Sequence, residues 1–167
     1  MDWIAHFSDF FSRHSKPLEA ILDAAGCREA WVQGQMFLDR GELQIKTNAT
    51  RDKLDLRCAD PPMIAEIKVC GGDYAAKMQA WIEADVDKLA RVDGAYERYM
   101  ILIVDNRNLR TRLGKWLTTC DFPHIRKDEQ MLPPAVLIRI WQIPKDADCS
   151  GPGSGRPQST WRAPSIR

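Results

Sequence analysis

The 167-residue sequence lacks the features of membrane-spanning, disulfide-rich and strongly charged proteins. No apolar run approaches the roughly 20 residues that cross a bilayer, and the longest, Tyr99 to Val104, has the length of a strand. The five cysteines form no CxxC pair, which argues against a zinc knuckle or disulfide framework and favours reduced thiols. With 24 basic and 23 acidic residues the net charge is +1, so bulk charge does not indicate a nucleic-acid partner.

What is present is the composition of an ordinary globular domain, with 44% hydrophobic and 28% charged residues. The first residues carry acids where a secretory signal carries a basic flank, and no small-residue cleavage site follows, which predicts a cytoplasmic protein. Length and composition predict one α/β domain over residues 1–145. The remainder, residues 146–167, is rich in Pro, Gly, Ser and Arg and is predicted to be a flexible tail.

Hydrophobic periodicity indicates helices first, then short strands, then alternating helices and strands. Helices are predicted over Trp3–Phe11, from Ser15, over Arg28–Arg40, from Asp73, and over Asn106–Thr119. Strands are predicted over Glu42–Lys46, Lys53–Arg57, Met63–Cys70, Tyr99–Val104 and Pro134–Ile143. The three early strands are joined by turn residues and read as a meander. Because strand–helix–strand units need crossover connections, the order predicts a mixed sheet of about five strands flanked by helices.

Two of the predicted strands carry charged residues where a buried strand has few. Asp55 stands between Leu54 and Leu56, and Glu66 and Lys68 follow in the next strand. Residues i and i+2 of a strand point to the same side, so Glu66 and Lys68 are neighbours in space. If the two strands pair through the turn between them, Asp55 lies beside this pair.

Two carboxylates and an ammonium at one point suit a hard divalent cation. Asp55 and Glu66 would supply anionic oxygens, and a main-chain carbonyl near Ile67 another. Mg²⁺ or Mn²⁺ held in this way keeps positions open for water and a substrate phosphate. Lys68 would orient a water molecule, help to deprotonate it, or stabilise transition-state charge.

This arrangement resembles the PD-(D/E)xK nuclease superfamily, in which a meander carries D…ExK and further helices and strands complete the sheet. The resemblance implies a restriction-endonuclease-like α/β sandwich and Mg²⁺-dependent hydrolysis of DNA, with Asp55, Glu66 and Lys68 as catalytic residues and Asp55 and Glu66 as metal ligands. The segment Asp85 to Leu89 looks like the D-x-x-K-L run that follows the ExK strand in several branches, which makes Lys88 an accessory residue.

The sequence also departs from the pattern of this superfamily. Leu54 stands where the nominal motif has proline, and Gln35 stands in the early helix where an acid is often found. Glu42, at the start of the first predicted strand, is a candidate substitute for that acid. The missing early acid argues against catalysis by two metals and is compatible with one.

The predicted helix Asn106–Thr119 carries four basic residues: Arg107, Arg110, Arg112 and Lys115. Such a run is usually a solvated helix face. In a nuclease it is a candidate contact to the DNA backbone, with an affinity that falls steeply with salt.

Each of these interpretations has an alternative. Asp55, Glu66 and Lys68 could form a cross-strand salt-bridge cluster on a solvent-facing strand surface. Asp85 and Lys88 could form an ordinary helical ion pair. The whole chain could be a catalytically inactive relative that acts as a binding protein in a phage, mobile element or defence system. The sequence contains no separate recognition domain, so a homodimer or a protein partner would have to supply any strong DNA specificity.

Overall fold

The computed structural model describes residues 1–23, 27–48, 53–71, 75–105, 112–119, 122, 125–133 and 136–145. In these ranges the chain is an α/β protein with five helices and one mixed, open sheet of six strands. The helices are α1 (Trp3–Arg13), α2 (Ser15–Asp23), α3 (Arg28–Leu38), α4 (Ala75–Arg91) and α5 (Arg112–Thr119). The strands are β1 (Ile45–Thr47), β2 (Leu56–Cys58), β3 (Met63–Cys70), β4 (Glu97–Asp105), β5 (Arg126–Leu132) and β6 (Val136–Gln142).

The strand order in the sheet is β1-β2-β3-β4-β6-β5. The first three strands form an antiparallel meander, and β4 runs parallel to β3 after the crossover through α4. Strand β6 is antiparallel to both β4 and β5. The predicted meander and mixed sheet are therefore confirmed.

The two faces of the sheet are covered by different helices. Odd-numbered residues of β3, such as Ile67, pack in one buried cluster with Trp3, Phe7 and Val32 of α1 and α3. Even-numbered apolar residues, such as Ile64, pack in a second cluster with side chains of α4 and α5. Since side chains alternate along a strand, Glu66 and Lys68 lie on the α4 side of the sheet.

Arg98 fixes the end of α4 against the start of β4. Its buried guanidinium donates hydrogen bonds to the carbonyls of Leu89 (3.1 Å), Val92 (2.9 Å), Gly94 (2.9 Å) and Tyr96 (2.6 Å). A planar fork of donors can satisfy several carbonyls at once, which a lysine cannot do. The last turns of α4 are thereby held in a defined position beside the sheet.

The sheet has one strand more than the sequence predicted. Strand β5 is polar and mostly exposed at the sheet edge, so its residues give no alternation of apolar and polar side chains.

The strand predicted over Glu42–Lys46 was placed too early, because Glu42 lies in a turn and is exposed. Strand β2 likewise starts at Leu56, after Lys53 adopts a left-handed conformation with φ of 51° that interrupts an extended chain.

Other predicted segments extend beyond the residues that the structure describes. The predicted helix Asn106–Thr119 is described only from Arg112, where α5 begins. The predicted tail, residues 146–167, lies outside the described ranges altogether.

Cys27, Cys58 and Cys70 are free thiols. Among the described residues, none of the helices combines the length and apolarity that crossing a membrane requires.

Candidate active site

Within the described ranges, the edge of β3 that faces β2 has no strand partner over the second half of its length. Strand β2 pairs with β3 only at Met63–Ala65. Beyond that point, Asp55 Oδ2 accepts a hydrogen bond from the backbone N–H of Ile67 at 2.7 Å, and Glu29 Oε1 accepts one from Val69 at 3.4 Å. The carboxylates of Asp55 and Glu29 thus accept backbone hydrogen bonds that a neighbouring strand would otherwise accept.

Asp55 is held in one orientation by side chains from two other segments. Gln33 of α3 donates from Nε2 to Asp55 Oδ1 at 2.8 Å, while Asn48, just after β1, donates to Gln33 Oε1 at 3.0 Å. Asp55 itself is buried. Groups that orient a carboxylate in this way also determine how well it can bind a cation.

A cavity of about 520 Å³ opens beside these carboxylates, between the start of α3 and the first half of α4. It is lined by Cys27, Arg28, Glu29, Ala30, Gln33, Asn48, Asp55, Val69, Met78 and Trp81. We call it the acidic cavity because Glu29 and Asp55, the carboxylates among its described lining residues, bind the edge of β3.

Glu66 lies deep in the sheet and faces α4. Its Oε1 atom is buried and lies 2.5 Å from Nζ of Lys88, without the geometry of a hydrogen bond. Burial raises the pKa of Glu66 to about 8 against the opposing effect of Lys88, and the carboxylates of Asp55 and Asp85 add to the rise. Without a metal, the Glu66 carboxyl therefore holds its proton more tightly than an exposed glutamate does, and burial is the main reason.

Lys68 pairs with Asp85 of α4, with 2.7 Å between Nζ and Oδ2, and also donates to the carbonyl of Ile67 at 3.3 Å. Burial acts to lower the pKa of Lys68, but Asp85, Glu29 and Asp55 outweigh it and raise the pKa above its ordinary value. Lys68 is therefore an ammonium at neutral pH. An ammonium can orient or stabilise a negative group but cannot accept a proton, which favours two of the three roles predicted for it.

Glu29 belongs to the same electrostatic group. Burial raises its pKa, and Asp55 and Asp85 raise it further, against the opposing effects of Lys68 and the Val69 N–H. Six side chains interact in this group: Glu29, Asp55, Glu66, Lys68, Asp85 and Lys88. These four carboxylates and two ammoniums carry a charge of −2 when all are ionised, and the buried guanidinium of Arg28, which lines the acidic cavity, adds one positive charge nearby.

The chemistry of these groups fits Mg²⁺ or Mn²⁺ bound by a small number of carboxylates. In the described ranges, no three Asp, Glu, His or Cys side chains are grouped so that they could hold a metal ion by themselves. Mg²⁺ commonly uses one or two carboxylates and keeps several waters, so two carboxylates such as Asp55 and Glu66 would match its usual ligand number. Glu66 Oε1 and Asp85 Oδ2 are buried oxygens whose closest charged partners are the ammoniums of Lys88 and Lys68, so a metal would have to compete with these two ion pairs.

The structure brings together Asp55, Glu66, Lys68 and Lys88 of the predicted site residues. Asp85 and Lys88, which were interpreted as a helical ion pair, instead bind Lys68 and Glu66 of β3. This correction follows from the packing of α4 on the sheet, which turns both side chains towards the strand.

The other predicted residues lie apart from this group or outside the described ranges. Glu42 and Gln35 do not line the acidic cavity, and Glu29 and Gln33 of α3 occupy that wall. Of the predicted DNA contacts, Arg107 and Arg110 lie outside the described residues, Arg112 begins α5, and Lys115 is exposed on α5.

Sequence reasoning missed Glu29 and Gln33, and it named Asp85 in the D-x-x-K-L run without predicting its contact with Lys68. Glu29 and Gln33 are four residues apart, which places them on one side of α3 and is the only signal that the sequence offers for them.

Comparisons with protein-family models, with curated proteins and with solved structures found no match. The function therefore has to be argued from the geometry and charge of this site.

Proposed function

We propose that the protein is a metal-dependent nuclease of the PD-(D/E)xK type, with the restriction-endonuclease-like version of the α/β sandwich. The observation that carries the proposal is the position of the motif. Asp55 binds the backbone between Glu66 and Lys68, beside a group of four carboxylates and two ammoniums among the described residues. Carboxylates grouped away from water are costly unless protons or cations compensate their charge, and a bound divalent cation would do so.

The reaction would be hydrolysis of a DNA phosphodiester. Attack of a water oxygen on phosphorus breaks one P–O bond and leaves a phosphate monoester and a hydroxyl group. When bound, Mg²⁺ or Mn²⁺ would supply a Lewis acid that lowers the pKa of water and offsets phosphate charge. Asp55 and Glu66 would hold the cation, and Gln33 would keep Asp55 in the orientation that binding needs.

Lys68 has a separate part in this proposal. Its ammonium is held by Asp85 and lies in the same charged group as Asp55 and Glu29. A fixed cation in a buried site stabilises developing negative charge on a phosphate more strongly than it would in water. Lys68 is therefore the residue that we expect to act on the transition state.

Removal of the metal tests the proposal. We expect the purified full chain to nick supercoiled plasmid DNA in the presence of Mg²⁺ or Mn²⁺, because the carboxylates need a cation to admit a phosphate. Addition of EDTA should stop nicking, and an excess of Mg²⁺ should restore it. Cleavage that proceeds equally well in EDTA, or no cleavage with either metal, would contradict the proposal.

A second candidate function is binding without catalysis, and one observation favours it. Glu66 and Lys68 are each already paired with a residue of α4, Lys88 and Asp85 respectively. Ion pairs of this kind could be a purely structural replacement for a lost metal. This candidate predicts no cleavage with any metal, and unchanged folding and partner binding when Asp55 is replaced.

A further inference from the structure

A second cavity, of about 580 Å³, lies between β2, β3 and the second half of α4. It is lined by Leu54, Arg57, Ile64, Lys88, Arg91, Val92, Asp93 and Tyr96. We call it the basic cavity. It shares no described lining residue with the acidic cavity, yet Leu54, the residue before Asp55, lies on its wall.

Among the described residues, three cations line the basic cavity, and one carboxylate, Asp93, accompanies them. The side chain of Asp93 is fully exposed and lies 3.9 Å from Lys145, which is outside the cavity. Arg57 and Arg91 pair with no carboxylate in the described part of the chain. The wall therefore carries positive charge that is available to an anion.

The two arginines are positioned by neutral groups. Arg57 donates to the hydroxyl of Tyr96 at 2.6 Å, and its guanidinium carbon lies 5.3 Å from the centre of that ring. Arg91 donates from Nε to the carbonyl of Asp87 at 2.9 Å. These bonds leave further N–H donors on each guanidinium, since each carries five. Guanidinium groups with unused donors are the usual partners of phosphate oxygens.

Lys88 connects the basic cavity to the candidate active site. Its ammonium lines the cavity, lies 2.5 Å from Glu66 Oε1 and donates to the carbonyl of Lys53 at 3.1 Å. An anion in the basic cavity would therefore be separated from Glu66 by a single side chain.

We propose that the basic cavity binds a backbone phosphate of the DNA strand that the active site cleaves, with Arg57 and Arg91 as the principal contacts and Lys88 as a further cation. This inference rests on the proposed function, and it places DNA contacts on β2 and α4. A phosphate contact fixes the position of the strand without reading its sequence. The cavity would thus position the neighbouring phosphate group beside Asp55 and Glu66.

The test is DNA binding without metal, so that cleavage does not enter the measurement. Fluorescence anisotropy of a labelled duplex oligonucleotide would be titrated with the full chain in EDTA at several salt concentrations. We expect Arg57→Gln and Arg91→Gln each to weaken binding roughly tenfold, as loss of a charged hydrogen bond does. Each should also lower the slope of log affinity against log salt by about 0.9.

Arg126→Gln is the matched control, because Arg126 is exposed on β5 at the opposite edge of the sheet. It should change neither affinity nor salt slope. Arg91 is exposed on α4, so its replacement does not endanger folding even if the partly buried Arg57 proves sensitive. Wild-type affinity and salt slope in the Arg91→Gln variant, or a wild-type protein that binds no DNA in EDTA, would overturn the proposal.

These experiments distinguish failure of the phosphate site from failure of the proposed nuclease function. Binding that depends on Arg57 and Arg91, in a protein that cleaves no DNA with Mg²⁺, would support the phosphate site and contradict the nuclease. Mg²⁺-dependent cleavage with unchanged DNA affinity in both variants would support the nuclease and overturn the phosphate site.

Discussion

Replacing Lys68 with alanine is expected to lower the rate of Mg²⁺-dependent DNA cleavage roughly 10²–10³-fold, the effect of removing one positioned charge that stabilises a transition state. The reason is the environment of the ammonium, which Asp85 holds in place and keeps protonated. The measurement is the initial rate of plasmid nicking at saturating metal. Lys77→Ala is the matched control, since Lys77 is exposed on α4.

Loss of Lys68 also leaves the carboxylate of Asp85 without its cation, which can destabilise the fold independently of catalysis. The double variant with Lys68→Ala and Asp85→Asn removes this unpaired charge. We expect the double variant to regain much of the stability in thermal unfolding while the nicking rate stays low. Wild-type nicking by Lys68→Ala, or recovery of the rate together with stability, would contradict a role for Lys68 in the reaction.

Replacing Glu66 with glutamine is expected to abolish metal-dependent cleavage and at the same time to stabilise the metal-free protein in alkaline solution. Burial raises the pKa of Glu66 from 4.5 to about 8, with Lys88 opposing the rise and Asp55 and Asp85 adding to it. Between these two pH values the folded protein holds a proton that the unfolded chain has released. The free energy of unfolding must therefore fall as pH rises through this window, by up to about 1.4 kcal/mol per pH unit.

Chemical denaturation in EDTA across this pH range measures the effect. Glu66→Gln should lose this part of the pH dependence and be the more stable protein above pH 8, by on the order of a few kcal/mol. Glu83→Gln is the control, because Glu83 is exposed on α4 and accepts only a hydrogen bond from Gln79. An unchanged pH dependence in Glu66→Gln would show that Glu66 is ionised throughout this pH range, and would contradict the raised pKa.

The sequence was sufficient to predict the centre of the sheet. Strands β3 and β4 are buried on both faces, so their continuous apolar runs identify them without knowledge of their neighbours. The motif could be predicted for the same reason, since Glu66 and Lys68 interrupt such a run with charge. Strand β5 could not be predicted, because its polar residues show no alternation of buried and exposed positions. Its pairing with β6 is what makes it a strand.

The supporting residues of the site depend on packing between distant segments. Glu29 and Gln33 reach the edge of β3 because α3 packs beside the part of β3 that β2 does not pair with. Strand β2 does not cover this part because it starts only at Leu56, after the left-handed residue Lys53. Asp85 is charged and half-buried on a helix, a common situation that by itself indicates nothing. Its role follows only from the position of α4 over Lys68.

The most direct test of a cation site between Asp55 and Glu66 is a crystal soaked with Mn²⁺ and measured for anomalous scattering. We predict one strong peak within about 2.0–2.2 Å of a carboxylate oxygen of each residue, close to the distances that such hard cations require. Lys88 should then have moved away from Glu66. A crystal in which Glu66 keeps its ion pair with Lys88, and in which no peak touches Asp55, would contradict the metal-dependent mechanism.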